Sequence, residues 1–260
     1  MTKLTADFRV TQSVRLHKLY TLLKLTPADT SLELPEVMPG QFVQVAVPNA
    51  PHTFLRRPIS VNYFDAANRE LWLLIRRAGE GTSILAGLEE GSVVNLILPL
   101  GNSFTMPESA GSRVLLVGGG VGVAPMLYFG HCLRSQGYEP RFLLGARSEA
   151  DLLELDEFRA LGETFISTDD GSLGEPGVVT LNSALRPGID RIYCCGPAPM
   201  MKAVAAKARE IGADCEVSLE NMMACGLGAC LCCVEKTVKG NVCVCTEGPV
   251  FNINQLTWQI

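Results

Sequence analysis

The sequence predicts an α+β chain of several domains. These are an N-terminal antiparallel β-barrel, an α/β domain with a parallel sheet, and a small cysteine-rich C-terminal domain. Three observations lead there. Six short apolar runs separated by turn residues fill the first hundred or so positions. Strand and helix patterns alternate from about residue 113 onward. Six of the ten cysteines fall after Met223. The boundaries expected are 1–108, 109–218 and 219–260. At 260 residues, 47% hydrophobic and 19% charged, the chain can bury a sizeable core.

The net charge of −5 comes without a basic run, which argues against nucleic-acid binding. The N-terminal MTKLTADFRVTQ lacks the apolar run of a signal peptide, and no stretch approaches the roughly 20 apolar residues that span a bilayer. Ten cysteines in such a chain point to thiolate ligation in a reducing cytoplasm rather than to disulfides.

The barrel strands are expected at Phe8–Ser13, Leu19–Leu25, Phe42–Val47, Ile59–Tyr63, Leu71–Arg77 and Val93–Leu98. Each is short and rich in Val, Ile, Leu or aromatic residues, and turn signals stand at Pro39-Gly40 and Glu90-Gly91. A closed barrel removes the exposed edges that so many short strands would otherwise present. One helix is expected at Thr82–Leu88.

After Pro107–Gly111 come strand Val114–Val117, helix Pro125–Ser135, strand Arg141–Leu144, helix Asp151–Leu161 and strand Thr164–Thr168. Strand Ile189–Cys194 and helix Pro199–Ile211 complete the domain. This alternation implies a parallel sheet with helices on both faces. Asp169-Asp170-Gly171-Ser172 reads either as a loop at the nucleotide cleft or as a plain Asx-type turn, and the turn is the favoured reading.

Three motifs carry chemistry. The first is Arg57-Pro58-Ile59-Ser60, with Leu74-Ile75-Arg76 and the Gly81-Thr82 helix start further on. An arginine fork suits a diphosphate, Ser60 adds a hydroxyl, and glycines before a helix leave N–H groups for phosphate. Together they describe a flavin diphosphate site, FAD, shared by two strands and a helix start. The second is Gly118-Gly119-Gly120-Val121-Gly122 leading to Pro125, between a strand and a helix, where a dinucleotide turn belongs. Cys195-Gly196-Pro197 repeats the arrangement after the last apolar strand. These residues are the candidate NAD site.

The third motif is Cys225, Cys230, Cys233 and Cys245, spaced C-x4-C-x2-C-x11-C, which matches a plant-type [2Fe–2S] ligand set. Gly226 and Gly228 let the backbone wrap an inorganic core. Cys243 is an alternative fourth ligand. If both lay in a strand they would share a face, so alternation does not choose between them. Cys232 is expected to be a buried spare thiol, and Cys132, Cys194, Cys195 and Cys215 small core residues. Four-thiolate zinc sites usually show two close pairs, unlike three cysteines crowded on one loop. No role is assigned to His17, His52 or His131.

With these motifs in this order the chain resembles the ferredoxin–NADP reductase superfamily. The MACGLGAC stretch, Cys233 and the run Val244-Cys245-Thr246-Glu247-Gly248-Pro249-Val250-Phe251 resemble the electron-transfer subunits of bacterial NAD-dependent dihydroorotate dehydrogenase. That resemblance selects Cys245, immediately before x-Glu-Gly-Pro-Val-Phe, as the fourth ligand, and NAD over NADP. It implies FAD, a [2Fe–2S] cluster and a partner subunit carrying FMN that oxidises dihydroorotate, in a heterotetramer of two subunits of each kind. It further implies that electrons leave as hydride to NAD+ in pyrimidine biosynthesis. Two rivals share parts of the pattern: a related NAD(P)H–acceptor reductase subunit, ferredoxin- or sulfur-linked, and a nucleotide-binding redox or zinc regulator.

Overall fold

Alternation in the first third of the chain closes a sheet on itself. The computed structural model describes residues 2–109 and 111–260. Its first six strands are β1 (Leu4–His17), β2 (Tyr20–Pro27), β3 (Phe42–Val45), β4 (Arg57–Asp65), β5 (Glu70–Arg76) and β6 (Val93–Leu100). They form a closed antiparallel barrel in the order β1-β2-β5-β4-β3-β6. Alternate side chains, among them Val10, Leu25, Val43, Val45, Val61, Leu73, Ile75 and Leu96, fill the interior. On β3 this leaves Phe42 and Gln44 on the outer face. Helix α1 (Glu80–Leu85) lies between β5 and β6, and Arg77 holds it by donating to Ser83 O and Ala86 O.

The next segment contains β7 (Val114–Gly119), α2 (Val123–Ser135), β8 (Arg141–Ala146), α3 (Leu155–Leu161) and β9 (Thr164–Thr168). It continues through β10 (Glu175–Pro176), β11 (Arg191–Cys195), α4 (Ala198–Ile211) and β12 (Asp214–Ser218). The tail adds β13 (Val234–Thr237), β14 (Gly240–Cys243), α5 (Val244–Glu247) and β15 (Val250–Asn252). Seven strands make one sheet, β10-β9-β8-β7-β11-β12-β15, parallel except for β15. Its two faces carry separate cores. Leu116, Phe142, Leu144 and Tyr193 pack under α2 and α3, while Leu115, Val117, Ile192 and Cys194 pack under α4. Helices therefore cover both faces, as the alternation implies.

Two departures from expectation have physical causes. The helix expected from Asp151 begins only at Leu155, because Glu154 is left-handed (φ 54°) and turns its carboxyl to accept from Asn62 Nδ2 of β4 at 2.8 Å. The tail also does not stand apart from the α/β domain. Val250–Asn252 pairs with β12, and Phe251 enters the core beneath α4. Asn102, just after β6, stitches this run in place through Glu247 O (3.0 Å), Val250 O (2.8 Å) and Val250 N–H (2.9 Å). The Asp169–Ser172 segment is the expected Asx-type turn, with Ser172 N–H donating to Asp170 Oδ1 at 3.0 Å. Among the described residues no helix is long and apolar enough to cross a membrane.

Candidate flavin, nucleotide and iron–sulfur sites

The candidate flavin residues meet where β4, β5 and α1 converge. The two neighbouring arginines divide the work. Arg56 is spent on structure, donating to Gln44 O (3.3 Å), Asn95 O (2.9 Å) and Asn95 Oδ1 (2.5 Å). Arg57 forms no ion pair among the described residues, and its guanidinium lies against Gly81, where a Cβ would meet Nε at 2.7 Å. Register on β3 and β4 pairs Gln44 with Pro58 and Phe42 with Ser60, so Pro58 and Ser60 share the barrel's outer face. Ile59 and Ile75 face the barrel interior and Leu74 packs toward the α/β domain, which leaves Ile59 and Ile75 only their backbones to offer. Arg76 is exposed. Thr82 Oγ1 takes the N–H groups of Ala78 (3.0 Å) and Gly79 (3.1 Å), fixing the turn into α1.

The two nucleotide motifs touch. β7 and β11 are adjacent parallel strands with Gly118 opposite Cys195. Chain order runs outward in both directions from β7, so their carboxyl ends form the switch point at which such sheets bind ligands. A Cβ on Gly122 would stand 2.4 Å from Cys195 O and 2.5 Å from Gly196 N, so only glycine allows the two turns to approach this closely. Gly118, Gly119, Gly120 and Gly122 thus lie beside Cys195, Gly196 and Pro197. Pro125 sits in the first turn of α2. The Cys195 thiol itself is buried and pushed well above the ordinary thiol range by desolvation, so this residue offers its backbone to the site.

The cysteine loop has no regular structure from Leu219 to Cys233. Gly226 (φ 70°) and Gly228 (φ 83°) are left-handed, and this lets the backbone turn its N–H groups onto sulfur. Leu227 N–H donates to Cys225 Sγ (3.3 Å), Gly228 N–H to Cys245 Sγ (3.1 Å) and Cys245 N–H to Cys233 Sγ (3.4 Å). The Leu227 amide, then further backbone groups and the Cys230 thiol, pull Cys225 down to about 6. Burial and the neighbouring Cys233 thiol push Cys245 up. The thiols form an outer pair, Cys225 with the exposed Cys230, and an inner pair, Cys233 with Cys245, both buried. Among the described residues no three His, Cys, Asp or Glu side chains gather about a single-ion position. Two pairs of thiolates faced by backbone donors suit a two-iron core, with two ligands for each iron.

The choice between Cys243 and Cys245 does not turn on strand alternation, because the two do not share a strand. Cys243 ends β14 and Cys245 lies in α5. The groups facing their sulfurs differ in sign. Cys245 Sγ accepts an N–H, which favours thiolate, whereas Cys243 Sγ points its hydrogen at Gly228 O (3.9 Å), which favours thiol. Cys232 is exposed, not buried as expected. It lies in an irregular loop, where adjacency to the buried Cys233 predicts nothing about its facing.

A family model described as the iron–sulfur cluster binding domain of dihydroorotate dehydrogenase B matches residues 220–257. The electron transfer subunit of dihydroorotate dehydrogenase B (NAD(+)) from Shouchella clausii is 41% identical over 224 residues, 84% of this chain and 86% of that protein. This chain belongs to that family. The subunit of the same description from Fusobacterium nucleatum is 37% identical over 221 residues, 82% of this chain and 84% of the relative. Among solved structures, an NADH-dependent reduced ferredoxin-NADP oxidoreductase studied for flavin-based electron bifurcation superposes with a TM-score of 0.84. It is 28% identical and covers 96% of this chain and 90% of that one. Phthalate dioxygenase reductase shares the fold at a TM-score of 0.65 and 23% identity, over 79% of this chain and 64% of the other.

Two residues near these sites carry no motif. Glu220, at the entry to the cysteine loop, is charge-coupled to Arg76 of β5 and to the Cys195 thiol. Gln44 is fully buried on the outer face of β3. A polar residue in the middle of the apolar run FVQVAV is the one signal that could have singled it out.

Proposed function

We propose that this chain carries FAD and a [2Fe–2S] cluster and passes electrons from an FMN-bearing, dihydroorotate-oxidising catalytic subunit to NAD+, in cytoplasmic pyrimidine biosynthesis. One observation carries the reading. The cysteine loop packs on β3, whose hydrogen-bonded neighbour β4 presents Pro58 and Ser60 on the same outer face, directly after Arg57. The candidate cluster and flavin sites therefore lie on adjoining strands of one barrel face.

Each region has a separable task. Arg57, which donates to Leu55 O (2.7 Å), has no ion pair among the described residues and is braced on Gly81, is placed to bind a flavin diphosphate, and Pro58 and Ser60 to orient the ring system. Gly118, Gly119, Gly120 and Gly122 with Gly196 and Pro197 give a pyrophosphate close backbone approach at the ends of β7 and β11. Flavin supplies the exchange between two-electron hydride transfer and one-electron cluster chemistry. Cys225, Cys230, Cys233 and Cys245 hold the cluster. The outer pair, Cys225 and Cys230, stands at the surface among the exposed apolar side chains Met222, Leu227 and Leu231, a face suited to the catalytic subunit. Two copies of each subunit complete the assembly.

Co-expression with an FMN-bearing dihydroorotate dehydrogenase subunit tests this. The two chains should elute together with FAD, FMN, iron and sulfide, and NAD+ reduction by dihydroorotate should need both. Arg57→Ala should lose flavin on dialysis while keeping iron. A chain purified without flavin absorbance, or without iron and sulfide, contradicts the proposal. So does a native partner of another kind, which would favour a ferredoxin- or sulfur-linked reductase.

A further inference from the structure

The Gln44 side chain is 0% exposed, and neither Oε1 nor Nε2 has a hydrogen-bond partner among the described residues. A buried amide with idle polar atoms costs about 1–3 kcal/mol for each unsatisfied group. An apolar residue of the same length would avoid that cost, so the position calls for a partner that accepts from an amide. Its surroundings identify one. A Cβ built on Gly226 would stand 2.7 Å from Gln44 Cγ and 2.8 Å from Nε2, so the carboxamide lies directly beneath the turn between Cys225 and Leu227. On its other side Gln44 pairs with Pro58 of the candidate flavin strand. Backbone N–H groups of the loop and of α5 already face the sulfurs of Cys225, Cys233 and Cys245, so sulfur acceptors lie at this turn.

We infer that Gln44 is a positioning residue for the iron–sulfur cluster, its Nε2 donating a hydrogen bond to a cluster sulfur and thereby raising the cluster's reduction potential. The inference rests on the proposal above that the loop holds a [2Fe–2S] cluster. Reduction adds negative charge that is shared by the sulfurs, and a donor stabilises the more negative state. The carboxamide also fixes where the loop sits on the barrel, one strand from Pro58 and Ser60.

The test is an EPR-monitored redox titration of the purified full-length protein, wild type against Gln44→Met and Gln44→Glu. Methionine keeps the volume and removes the donor; glutamate keeps the length and removes the amide. Each should lower the cluster's one-electron reduction constant by about tenfold or more, which is ~59 mV for each factor of ten. The flavin midpoint should stay in place. Wild-type protein labelled with 15N in glutamine side chains should also show a pulsed-EPR coupling to the reduced cluster that Gln44→Met abolishes. If a variant fails to hold its cluster, this wild-type coupling decides the matter, and its absence overturns the inference. An unchanged cluster potential in both variants, or a shift of the flavin midpoint instead, overturns it too. A wild-type protein with no reducible [2Fe–2S] signal contradicts the functional proposal itself.

Discussion

Seven of the ten thiols of this chain fall in two regions whose backbones differ. Cys194, Cys195 and Cys215 lie on β11 and β12, buried, and desolvation pushes all three well above the ordinary thiol range. Cys225, Cys230, Cys233 and Cys245 lie in and after an irregular loop, where Cys225 is pulled down to about 6 while burial and the Cys233 thiol push Cys245 up. Burial does not separate the groups, since Cys195 and Cys245 are each 1% exposed. The backbone separates them. β11 and β12 are paired on both sides, so their N–H groups are committed to neighbouring strands. The loop has no such pairing, and left-handed glycines aim its N–H groups at sulfur. Both regions also contain adjacent cysteines. Cys194 and Cys195 point to opposite, equally buried faces of a sheet, whereas Cys232 and Cys233 divide between solvent and core. In the candidate ligand set, backbone N–H groups face Cys225, Cys233 and Cys245.

The largest expected effect breaks the loop and leaves the sheet intact. Cys225→Ser should bring iron and sulfide close to background while flavin stays bound and NADH still reduces an artificial dye. Cys194→Ala should keep its full iron content. Metal analysis of both proteins checks this, and a Cys194 variant lacking iron would erase the distinction between the regions.

Desolvation acts on a carboxyl as it does on the sheet thiols, with a consequence for pH. Glu154 is held up to about 7 by burial, against an ordinary 4.5, although Asn62 donates to it. Between those values the folded chain retains a proton that the unfolded chain has released. The stability contributed by that proton is present at low pH and is lost as pH rises through the window, at up to about 1.4 kcal/mol per unit and about 3 kcal/mol in all. Glu154→Gln removes the titration and supplies an N–H that can face Asn62 Oδ1, which has no partner among the described residues. Urea unfolding at about pH 5 and about pH 8 should show the slope in wild type and a flatter one in the variant. Equal slopes would remove Glu154 from the account.

A smaller effect tests the glycine geometry. Gly226→Ala places a Cβ in left-handed backbone and against Gln44, and should cost about 1–3 kcal/mol. Gly137→Ala, equally left-handed (φ 84°) but with open space around it, should cost about 1 kcal/mol. Thermal melts of the two variants compare them directly. A milder loss at Gly226 would mean that the loop is not tightly seated on β3.

Much of this organisation is legible in the chain. Period-two apolar runs close the barrel, VLLV running into glycines marks the central strand, and the cysteine spacing marks the loop. Two kinds of feature escape. β12 reads as polar because Asp214 and Glu216 lie on it. Tertiary partners satisfy them: Arg191 and Asn252 for Asp214, and the Thr105 N–H for Glu216. Local pattern cannot register partners so distant in sequence. Gln44 and Glu220 escape for the same reason, since their meaning comes from a loop and a strand brought beside them by the fold. The Glu247–Phe251 run, from which the resemblance draws much of its specificity, proves to be a seam. Its backbone is held by Asn102 and β12.

The central claim is that flavin and cluster exchange electrons through the β3–β4 face with Cys245 as fourth ligand. It is tested most directly by anaerobic reduction with NADH, following flavin absorbance and EPR together in wild type, Cys243→Ser and Cys245→Ser. Flavin should bleach in all three, and the reduced [2Fe–2S] signal should appear in wild type and Cys243→Ser and be absent from Cys245→Ser. A signal that survives Cys245→Ser, or that vanishes in Cys243→Ser, would contradict the account.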